Sequence, residues 1–414
     1  NTVHFGRILE EGCLLDEVLV TIFHAPHSFT GEESVEIACH GSLYIQQRLL
    51  QLLVNQGARL ATPGEFTQRA FLNGKMDLSQ AEAVADLIAS SSAASHRMAL
   101  KQMKGGFSAE LMKLRGELLH ITSLLELELD FSEEDVEFAD RSELRRIAGN
   151  IDELLTRLCR SFSLGNVIKN GVPVAIVGNT NVGKSTLLNA LLREDRAIVS
   201  DIAGTTRDVI EDTINLNGIT FRFIDTAGIR ATSDEVENIG IERTFAKIGQ
   251  ASVVLLLTDL NRGVESFEEY YHQVKSRLTS DAKLIIVLNK TDQVEDLLTP
   301  QETIRLFTSG EEIVPISART GANLDRLIQE LTRTVNLNTL NTSDVIVSNV
   351  RHYEALRNAR TAIERVNEGL ESGLSGEFIS QDIRECLHYL GEITGEITTD
   401  EVLGNIFKNF CIGK

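Results

Sequence analysis

A glycine-rich segment that ends in a lysine and two hydroxyl residues is the strongest chemical signal in the sequence. Residues Gly178–Thr186 read GNTNVGKST and fit the pattern G-x-x-x-x-G-K-[ST], directly after the apolar run VPVAIV. Glycines in this pattern let backbone N–H groups surround phosphate oxygens, and the following helix directs its positive end at them. Lys184 then reaches the β- and γ-phosphates, and the Ser185 hydroxyl ligates Mg²⁺. The preceding strand favours this interpretation over a glycine turn with an exposed lysine.

Three further motifs each follow an apolar run and extend the same chemistry. The run TFRFI precedes Asp225–Gly228 (DTAG), where a carboxylate can hold the Mg²⁺ shell through water and the last amide can sense a γ-phosphate. The run LIIVL precedes Asn289–Asp292 (NKTD), whose aspartate can accept hydrogen bonds from guanine N1 and N2. Together with Ser317–Arg319 (SAR) after EIVPI, these motifs favour GTP over ATP.

The groups that act on the attacking water are harder to assign. Small GTPases place a glutamine after D-x-x-G, whereas this chain has Ile229, whose side chain cannot hydrogen-bond to water. Either hydrolysis is therefore slow, or another group acts on the water, and the carboxylates within 230–237 (RATSDEVE) can do so. Arg207 and Arg230 are each as compatible with a solvated loop as with an arginine finger. Asn181 can offer its amide oxygen to a monovalent cation in the finger's place.

The periodicity around these motifs predicts the elements that position them. Residues 171–336 alternate apolar strands with helices, which predicts a parallel, doubly wound sheet. The predicted strands are Val174–Val177, Thr220–Ile224, Ser252–Leu257, Lys283–Leu288 and Ile313–Ser317. Residues 1–73 mix two strand-like runs, Glu17–Phe23 and Ser34–His40, with a helix-like run near Leu43–Asn55. Residues 74–170 show the spacing of three amphipathic helices, whose predicted apolar faces carry Ala81, Val84, Ala85 and Ile88, then Leu111, Leu114, Leu118 and Ile121, then Leu144, Ile147, Ile151 and Leu154. Residues 337–414 return to helical spacing, with an apolar stripe of Val350, Tyr353, Leu356, Ile363, Val366 and Leu370. We therefore predict a small α/β N-terminal domain, a discontinuous helical domain and a P-loop G domain inserted into it.

Composition limits the class of protein. The 414 residues include 40 Lys and Arg against 60 Asp and Glu, which gives a formal charge of −20. No apolar run approaches the about 18 residues of a membrane span, and the first residues lack a signal-peptide pattern. The five cysteines lack a C-x-x-C pair, so we expect a cytoplasmic protein with reduced thiols. The acidic excess argues against nucleic acid unless a basic partner carries much of the phosphate contact.

Six segments spread over nearly the whole chain resemble the MnmE (TrmE) family of tRNA-modification GTPases, in the TrmE-Era-EngA-like group. The segments are His27–Glu33 (HSFTGEE), Thr62–Lys75 (TPGEFTQRAFLNGK), Met76–Ile88 (MDLSQAEAVADLI), Asp201–Asp208 (DIAGTTRD), Asp225–Arg230 (DTAGIR) and Cys411–Lys414 (CIGK). Each is short, but their combination and order are specific to the family.

The resemblance implies a potassium-dependent GTP hydrolase that works in a tRNA-modifying complex. It implies a homodimer formed through the N-terminal domains and a heterotetramer with the flavoprotein MnmG. That complex adds a carboxymethylaminomethyl or aminomethyl group at C5 of the wobble uridine of certain tRNAs, with 5-formyl- or methylene-tetrahydrofolate as one-carbon source. The G-domain motifs leave open a GTP-regulated ribosome-assembly factor, which should carry a basic RNA-binding domain.

The resemblance also assigns roles to individual residues. Thr206 joins Ser185 on Mg²⁺, and Glu237 matches the catalytic glutamate that acts on the attacking water. The K⁺ ligands, two of them backbone carbonyls, match Asn181, Ser200, Ile202 and Thr205. The predicted GTP-binding residues are Asn181, Val182, Gly183, Lys184, Ser185, Thr186, Ser200, Asp201, Ile202, Ala203, Gly204, Thr205, Thr206, Asp225, Thr226, Ala227, Gly228, Asn289, Lys290, Asp292, Ser317, Ala318 and Arg319.

A second predicted site binds the folate. Glu36 and Lys75 match family residues that contact its pterin and glutamate portions, and Lys414 matches a C-terminal contact. Relatives have a Gly/Arg-rich segment before the position of Asn1, and we expect that segment to complete the pocket. Cys411 is either a nucleophile or a buried thiol, and the resemblance favours a role in the modification chemistry.

Overall fold

The computed structural model of the chain describes residues 1–130, 141–196, 212–224, 248–259, 264–279, 282–294, 302, 304–305, 308–335, 345–408, 410 and 413. By internal contacts the chain divides into two units. The first unit comprises Asn1–Ala89, Arg97–Phe162 and Val345–Lys414, and the second comprises Ser90–His96 and Ser163–Asp344. The three predicted domains and their boundaries stay a prediction.

The first unit begins with an antiparallel sheet of three strands in the order β1-β2-β3. The strands are β1 (Thr2–Glu10), β2 (Cys13–Phe23) and β3 (Ser34–Ala38). A two-residue turn joins β1 to β2, and both of its residues, Glu11 and Gly12, have positive φ angles, as a tight hairpin of right-handed twist requires. The sequence predicted β2 and β3 but not β1, because β1 is mostly exposed on both faces and shows no clear alternation.

Helices follow this sheet along the chain. After α1 (Leu43–Asn55) and α2 (Glu65–Leu72) come α3 (Leu78–Ala89), α4 (Ala93–Met103), α5 (Gly106–Asp130) and α6 (Arg141–Asn170). All of them belong to the first unit except for the start of α4 and the end of α6, which fall in the second unit. The spacing of leucine and isoleucine predicted the buried faces of α5 and α6 correctly, since Leu111, Leu118 and Ile151 are fully buried in one cluster. On α3, however, Ile88 is 46% exposed, although the spacing placed it on the apolar face.

The second unit contains a six-stranded sheet in the order β5-β6-β4-β7-β8-β9. Its elements are β4 (Val172–Val177), α7 (Lys184–Arg196), β5 (Asp212–Leu216), β6 (Ile219–Phe223), β7 (Val253–Asp259), α8 (Val264–Lys275), β8 (Lys283–Asn289), β9 (Glu312–Pro315) and α9 (Leu324–Thr334). The five predicted strands are confirmed, with ends shifted by at most two residues. The edge strand β5 was not predicted, and it runs antiparallel to β6, so the sheet is not wholly parallel.

Alternate residues of β4 pack against the two faces of this sheet. Val174 and Ile176 belong to the same buried cluster as Leu187 of α7, whereas Ala175 and Val177 belong to the cluster that contains Phe267 of α8. A strand covered on both faces reads as a continuous apolar run, which is what the sequence shows. The arrangement confirms the doubly wound fold.

The chain ends in three further helices of the first unit, α10 (Val350–Ser372), α11 (Gly376–Thr394) and α12 (Asp400–Lys408). Ile363 of α10 and Ile383 of α11 are fully buried with the leucines of α5. Val350 was predicted in the apolar stripe of α10 but is 55% exposed, because it is the first residue of the helix. Across the described ranges, no helix has the length and apolarity needed to cross a membrane.

Candidate nucleotide-binding site

The phosphate loop lies at the carboxyl end of β4, the strand between β6 and β7. The chain leaves the sheet at Gly178 and enters α7 at Lys184. The chain places β5 and β6 on one side of β4, and β7, β8 and β9 on the other side. Open α/β sheets bind ligands at such a switch point. The fold therefore places the motif at a position suited to a nucleotide.

Two glycines of the loop are required by close contacts as well as by backbone angles. Gly178 has φ +155°, and a Cβ there would lie 2.2 Å from the Leu257 carbonyl oxygen. Gly183 has φ +99°, and a Cβ there would lie 2.3 Å from Asn289 Nδ2. A side chain at Gly178 would push the loop away from the backbone of β7, and one at Gly183 would displace the Asn289 carboxamide.

Lys184 donates hydrogen bonds to oxygen atoms of the loop, and phosphate oxygens would take the place of these acceptors. Its Nζ donates to the carbonyl oxygens of Gly178 (2.7 Å) and Asn179 (2.8 Å) within the loop. Burial lowers the pKa of the Lys184 ammonium, because removing a charge from water is unfavourable. Ser185 follows in the first turn of α7 and is half-buried, whereas Asn181 and Thr186 are exposed. An anion in the loop would find the ammonium and the helix N-terminus together.

Asn289 connects two of the predicted binding segments. Its Nδ2 donates to the Val182 carbonyl (2.8 Å), and its Oδ1 accepts from the Ala318 backbone N–H (2.9 Å). The residue is only 3% exposed. Sequence reasoning placed Asn289 among the residues that bind GTP, but in the structure its carboxamide holds the phosphate loop and the SAR segment in a fixed arrangement.

Asp292 is oriented by a neighbouring hydroxyl. Ser317 Oγ donates to Asp292 Oδ1 (2.6 Å), and the Thr320 backbone N–H donates to Ser317 Oγ (3.2 Å). Ser317 is fully buried, whereas Arg319 is exposed. The structure therefore brings the NKTD and SAR segments together.

A residue outside every motif also belongs to this edge of the sheet. Asp259, the last residue of β7, pairs in register with Asn289 and forms an ion pair with Lys290, whose Nζ lies 2.5 Å from Asp259 Oδ2. Sequence reasoning missed Asp259. The available signal was an aspartate that directly ends an apolar strand beside the phosphate-binding strand.

Many predicted site residues lie outside the described residues, and their assignments stay predictions. These residues are Ser200, Asp201, Ile202, Ala203, Gly204, Thr205, Thr206, Asp225, Thr226, Ala227, Gly228, Glu237, Cys411 and Lys414.

The two described folate candidates belong to the first unit. Lys75 is exposed, and its Nζ donates to the Pro26 carbonyl (2.9 Å) while its stem packs beside Gly31. Glu36 is exposed on β3, opposite Thr21 of β2. Both charges are open to solvent, so a soluble ligand can reach either of them.

A buried carboxylate of the first unit, Glu65, was not predicted from the sequence. Glu65 accepts hydrogen bonds from Arg59 (2.6 Å), from Arg69 (2.6 Å) and from the Thr62 backbone N–H (2.9 Å). The hydrogen bond from Arg59 contributes most to holding the pKa of Glu65 well below its usual range. The network ties the start of α2 to the loop before it.

Comparison with known proteins identifies the family. A family model described as GTP-binding protein TrmE N-terminus matches residues 1–75, and one described as MnmE helical domain matches residues 78–411. The chain belongs to the MnmE family. The tRNA modification GTPase MnmE of Parabacteroides distasonis is 61% identical over 415 residues, which cover 100% of this chain and 89% of that protein. The MnmE protein of Bacteroides fragilis is 60% identical over 417 residues with the same coverage.

Among solved structures, the crystal structure of Era with MgGDPNP and part of 16S ribosomal RNA is 32% identical to the matched region. The match covers 46% of this chain and 66% of the Era chain, with a TM-score of 0.32. A TM-score this low establishes no common fold over the matched length, so the MnmE assignment rests on the family models and the full-length relatives.

Proposed function

We propose that this member of the MnmE family is a GTPase that acts in tRNA modification, as its relatives are named. One observation carries the GTPase part: the buried Asn289 amide joins the phosphate loop to the SAR segment, and that segment in turn orients Asp292. A phosphate-binding loop and a guanine-reading carboxylate are thereby held at one edge of the sheet. Release of phosphate from GTP by the purified chain, with ATP as the comparison substrate, tests this part.

The proposed reaction is the addition of a carboxymethylaminomethyl or aminomethyl group at C5 of the wobble uridine, carried out with the flavoprotein MnmG. The full-length relatives named for tRNA modification support this over ribosome assembly. The formal charge of −20 suits a basic partner that carries much of the tRNA contact. Mass spectrometry of wobble uridine in cells that lack the protein should show loss of the modification, and unchanged uridine would refute it. A cytoplasmic location and the role of Cys411 stay predictions.

We propose Mg²⁺ and K⁺ as the ions of the nucleotide site. The position of Ser185 in the first turn of α7 supports its hydroxyl as a Mg²⁺ ligand, and Thr206 is the second proposed ligand. Asn181 has φ +60° and an exposed side chain on the loop, and it would hold K⁺ with Ser200, Ile202 and Thr205. A cation there would neutralise charge that develops on the phosphates. Hydrolysis should be faster in K⁺ than in Na⁺, and equal rates would exclude a specific K⁺ site.

We propose Glu237 as the residue that acts on the attacking water. The aliphatic Ile229 in the usual glutamine position supports this choice, because it leaves the water without a hydrogen-bonding partner from that position. Glu237→Ala should lower kcat about 100-fold while leaving the affinity for GTP nearly unchanged. Glu235→Ala, two residues earlier in the same segment, is the matched control. If both variants lose activity equally, the assignment to Glu237 is wrong.

A homodimer formed through the N-terminal sheet is the proposed quaternary state. One face of the sheet carries Phe5, which is 68% exposed, directly opposite Leu19, which is 49% exposed. Val3 lies two residues from Phe5 on the same face and is also exposed. Apolar patches of this kind mark interaction surfaces. Phe5→Asp should convert a dimer into a monomer in sedimentation experiments, whereas a monomeric wild type would contradict the proposal.

We propose that a 5-formyl- or methylene-tetrahydrofolate binds near Glu36 and Lys75, with Lys414 as a further contact. The matching TrmE N-terminus model supports the site, and both described charges are accessible. Titration calorimetry with 5-formyltetrahydrofolate should detect binding by the wild type and a weaker affinity for Lys75→Ala. Lys104→Ala, an exposed lysine after α4, is the control. Equal affinity of the three proteins would exclude Lys75 from the site.

A further inference from the structure

We propose, on the basis of the GTP-binding function above, that Asp259 is a positioning residue for guanine-nucleotide binding that acts through Lys290. Asp259 ends β7, and none of the nucleotide-binding motifs contains it. Its Oδ2 accepts a hydrogen bond from Lys290 Nζ at 2.5 Å. Lys290 is the second residue of NKTD, so the ion pair connects a neighbouring strand directly to the segment that recognises the base.

The Asp259 carboxylate is buried, so its charge needs a positively charged partner. Its side chain is 6% exposed, against 29% for the side chain of Lys290. A buried carboxylate is strongly unfavourable unless a positive group and hydrogen bonds compensate it. The Asp259 carboxylate therefore holds the Lys290 ammonium in one position.

The backbone conformation of Lys290 is also constrained by its surroundings. Its φ is +66°, in the left-handed region that residues other than glycine seldom adopt. Such a conformation persists where surrounding contacts over-determine it, and such residues concentrate at functional sites. Two contacts do so here: the ion pair with Asp259, and the hydrogen bond from the next residue, Thr291 N–H, to the Ile316 carbonyl (3.2 Å).

The location of Asp259 connects these contacts to the bound nucleotide. Asp259 pairs in register with Asn289, and two residues earlier on β7 the Leu257 carbonyl lies against Gly178 of the phosphate loop. A base recognised by Asp292 binds to the short segment that begins at Lys290. With its ammonium held by Asp259, the four-carbon stem of Lys290 presents an apolar surface of fixed direction to that base. Without the carboxylate, the stem has many rotamers, and ordering it on binding costs affinity.

The test compares Asp259→Asn with a matched control in the full-length protein. Glu311→Gln breaks the ion pair between Lys275 and Glu311, which lies in the same unit and whose carboxylate is likewise 6% exposed. We expect Asp259→Asn to raise the KM for GTP about tenfold and to change kcat less than about twofold, because ordering Lys290 affects binding rather than the chemical step. We expect Glu311→Gln to leave KM unchanged while lowering the melting temperature.

Each alternative result is decisive. A KM for Asp259→Asn equal to that of the wild type overturns the proposal, and so does an equal rise in KM in both variants, which would indicate general destabilisation. If Asp259→Asn does not fold, the double variant Asp259→Asn, Lys290→Met removes the uncompensated charge and keeps the stem. Its KM should equal that of Lys290→Met alone, because Asp259 acts through Lys290, and a further rise in KM would overturn the proposal. A wild-type protein that does not hydrolyse GTP would instead refute the proposed function.

Discussion

A buried ionic network in the first unit predicts how stability should depend on pH. Glu82 of α3 accepts hydrogen bonds from Arg351 Nη2 (2.8 Å) and His352 Nε2 (2.6 Å), both of α10. Glu82 is 7% exposed and His352 is fully buried. Burial alone would raise the pKa of Glu82. The charge of His352 and the hydrogen bonds from His352 and Arg351 outweigh burial and lower the pKa from 4.5 to about 2.

The size of the effect follows from this difference in pKa. Because the folded-state pKa lies below the unfolded value, the carboxylate stabilises the fold at pH values above the unfolded pKa. A decrease from 4.5 to about 2 corresponds to roughly 3 kcal/mol of unfolding free energy at neutral pH. The stabilisation decreases as the pH falls through 4.5 toward 2, and about 2 kcal/mol of it should be lost by pH 3.

Urea unfolding followed by circular dichroism can measure this loss. Glu82→Gln should be less stable than the wild type at pH 7 by about 3 kcal/mol or more, since it also leaves Arg351 without its carboxylate. The gap between the two proteins should shrink by about 2 kcal/mol at pH 3. Glu354→Gln, at an exposed position of α10, should show no such gap. A gap between wild type and Glu82→Gln that is independent of pH would refute the assignment of the stability to the Glu82 carboxylate.

Three further predictions concern the nucleotide site. Gly183→Ala should lower the affinity for GDP at least about tenfold, because its Cβ would meet Asn289 Nδ2. Gly310 has φ +96° and open space around it, so Gly310→Ala is the control for the backbone angle alone. Equal GDP affinities of the two variants would contradict the role of the contact. Asn289→Ala should lower the unfolding free energy by about 2–6 kcal/mol, because it leaves the Val182 carbonyl and Ala318 N–H buried without partners, and denaturant titration measures this. In thermal melts, Lys184→Met should abolish the rise in Tm that GDP produces; a Tm rise like that of the wild type would exclude Lys184 from phosphate binding.

The local chemistry of this protein could be predicted from sequence because it resides in contiguous segments. A phosphate loop uses the backbone of neighbouring residues, so the spacing of Gly178, Gly183 and Lys184 is sufficient to recognise it. Buried strands read as apolar runs, which is why five strands of the sheet were predicted nearly to their ends. The edge strand β5 was missed because it is only five residues long and has just two buried apolar residues, Ile214 and Leu216. The strand β1 was missed because most of its residues are exposed, so buried and exposed side chains do not contrast.

The contacts that hold the site together depended on the tertiary structure. Asn289 and Val182 are 107 residues apart, and Arg351 and Glu82 are 269 residues apart. Separations of this length lie far outside the periods of about 2 and 3.6 residues by which a sequence shows which side chains share a face. Asp259 meets Lys290 only because β7 and β8 are adjacent and in register, and strand order is set by how crossover helices pack on the sheet. The sequence by itself determined which groups are proposed to bind phosphate and base, because they lie in contiguous motifs. The packing of distant strands decided which residues hold those groups in place.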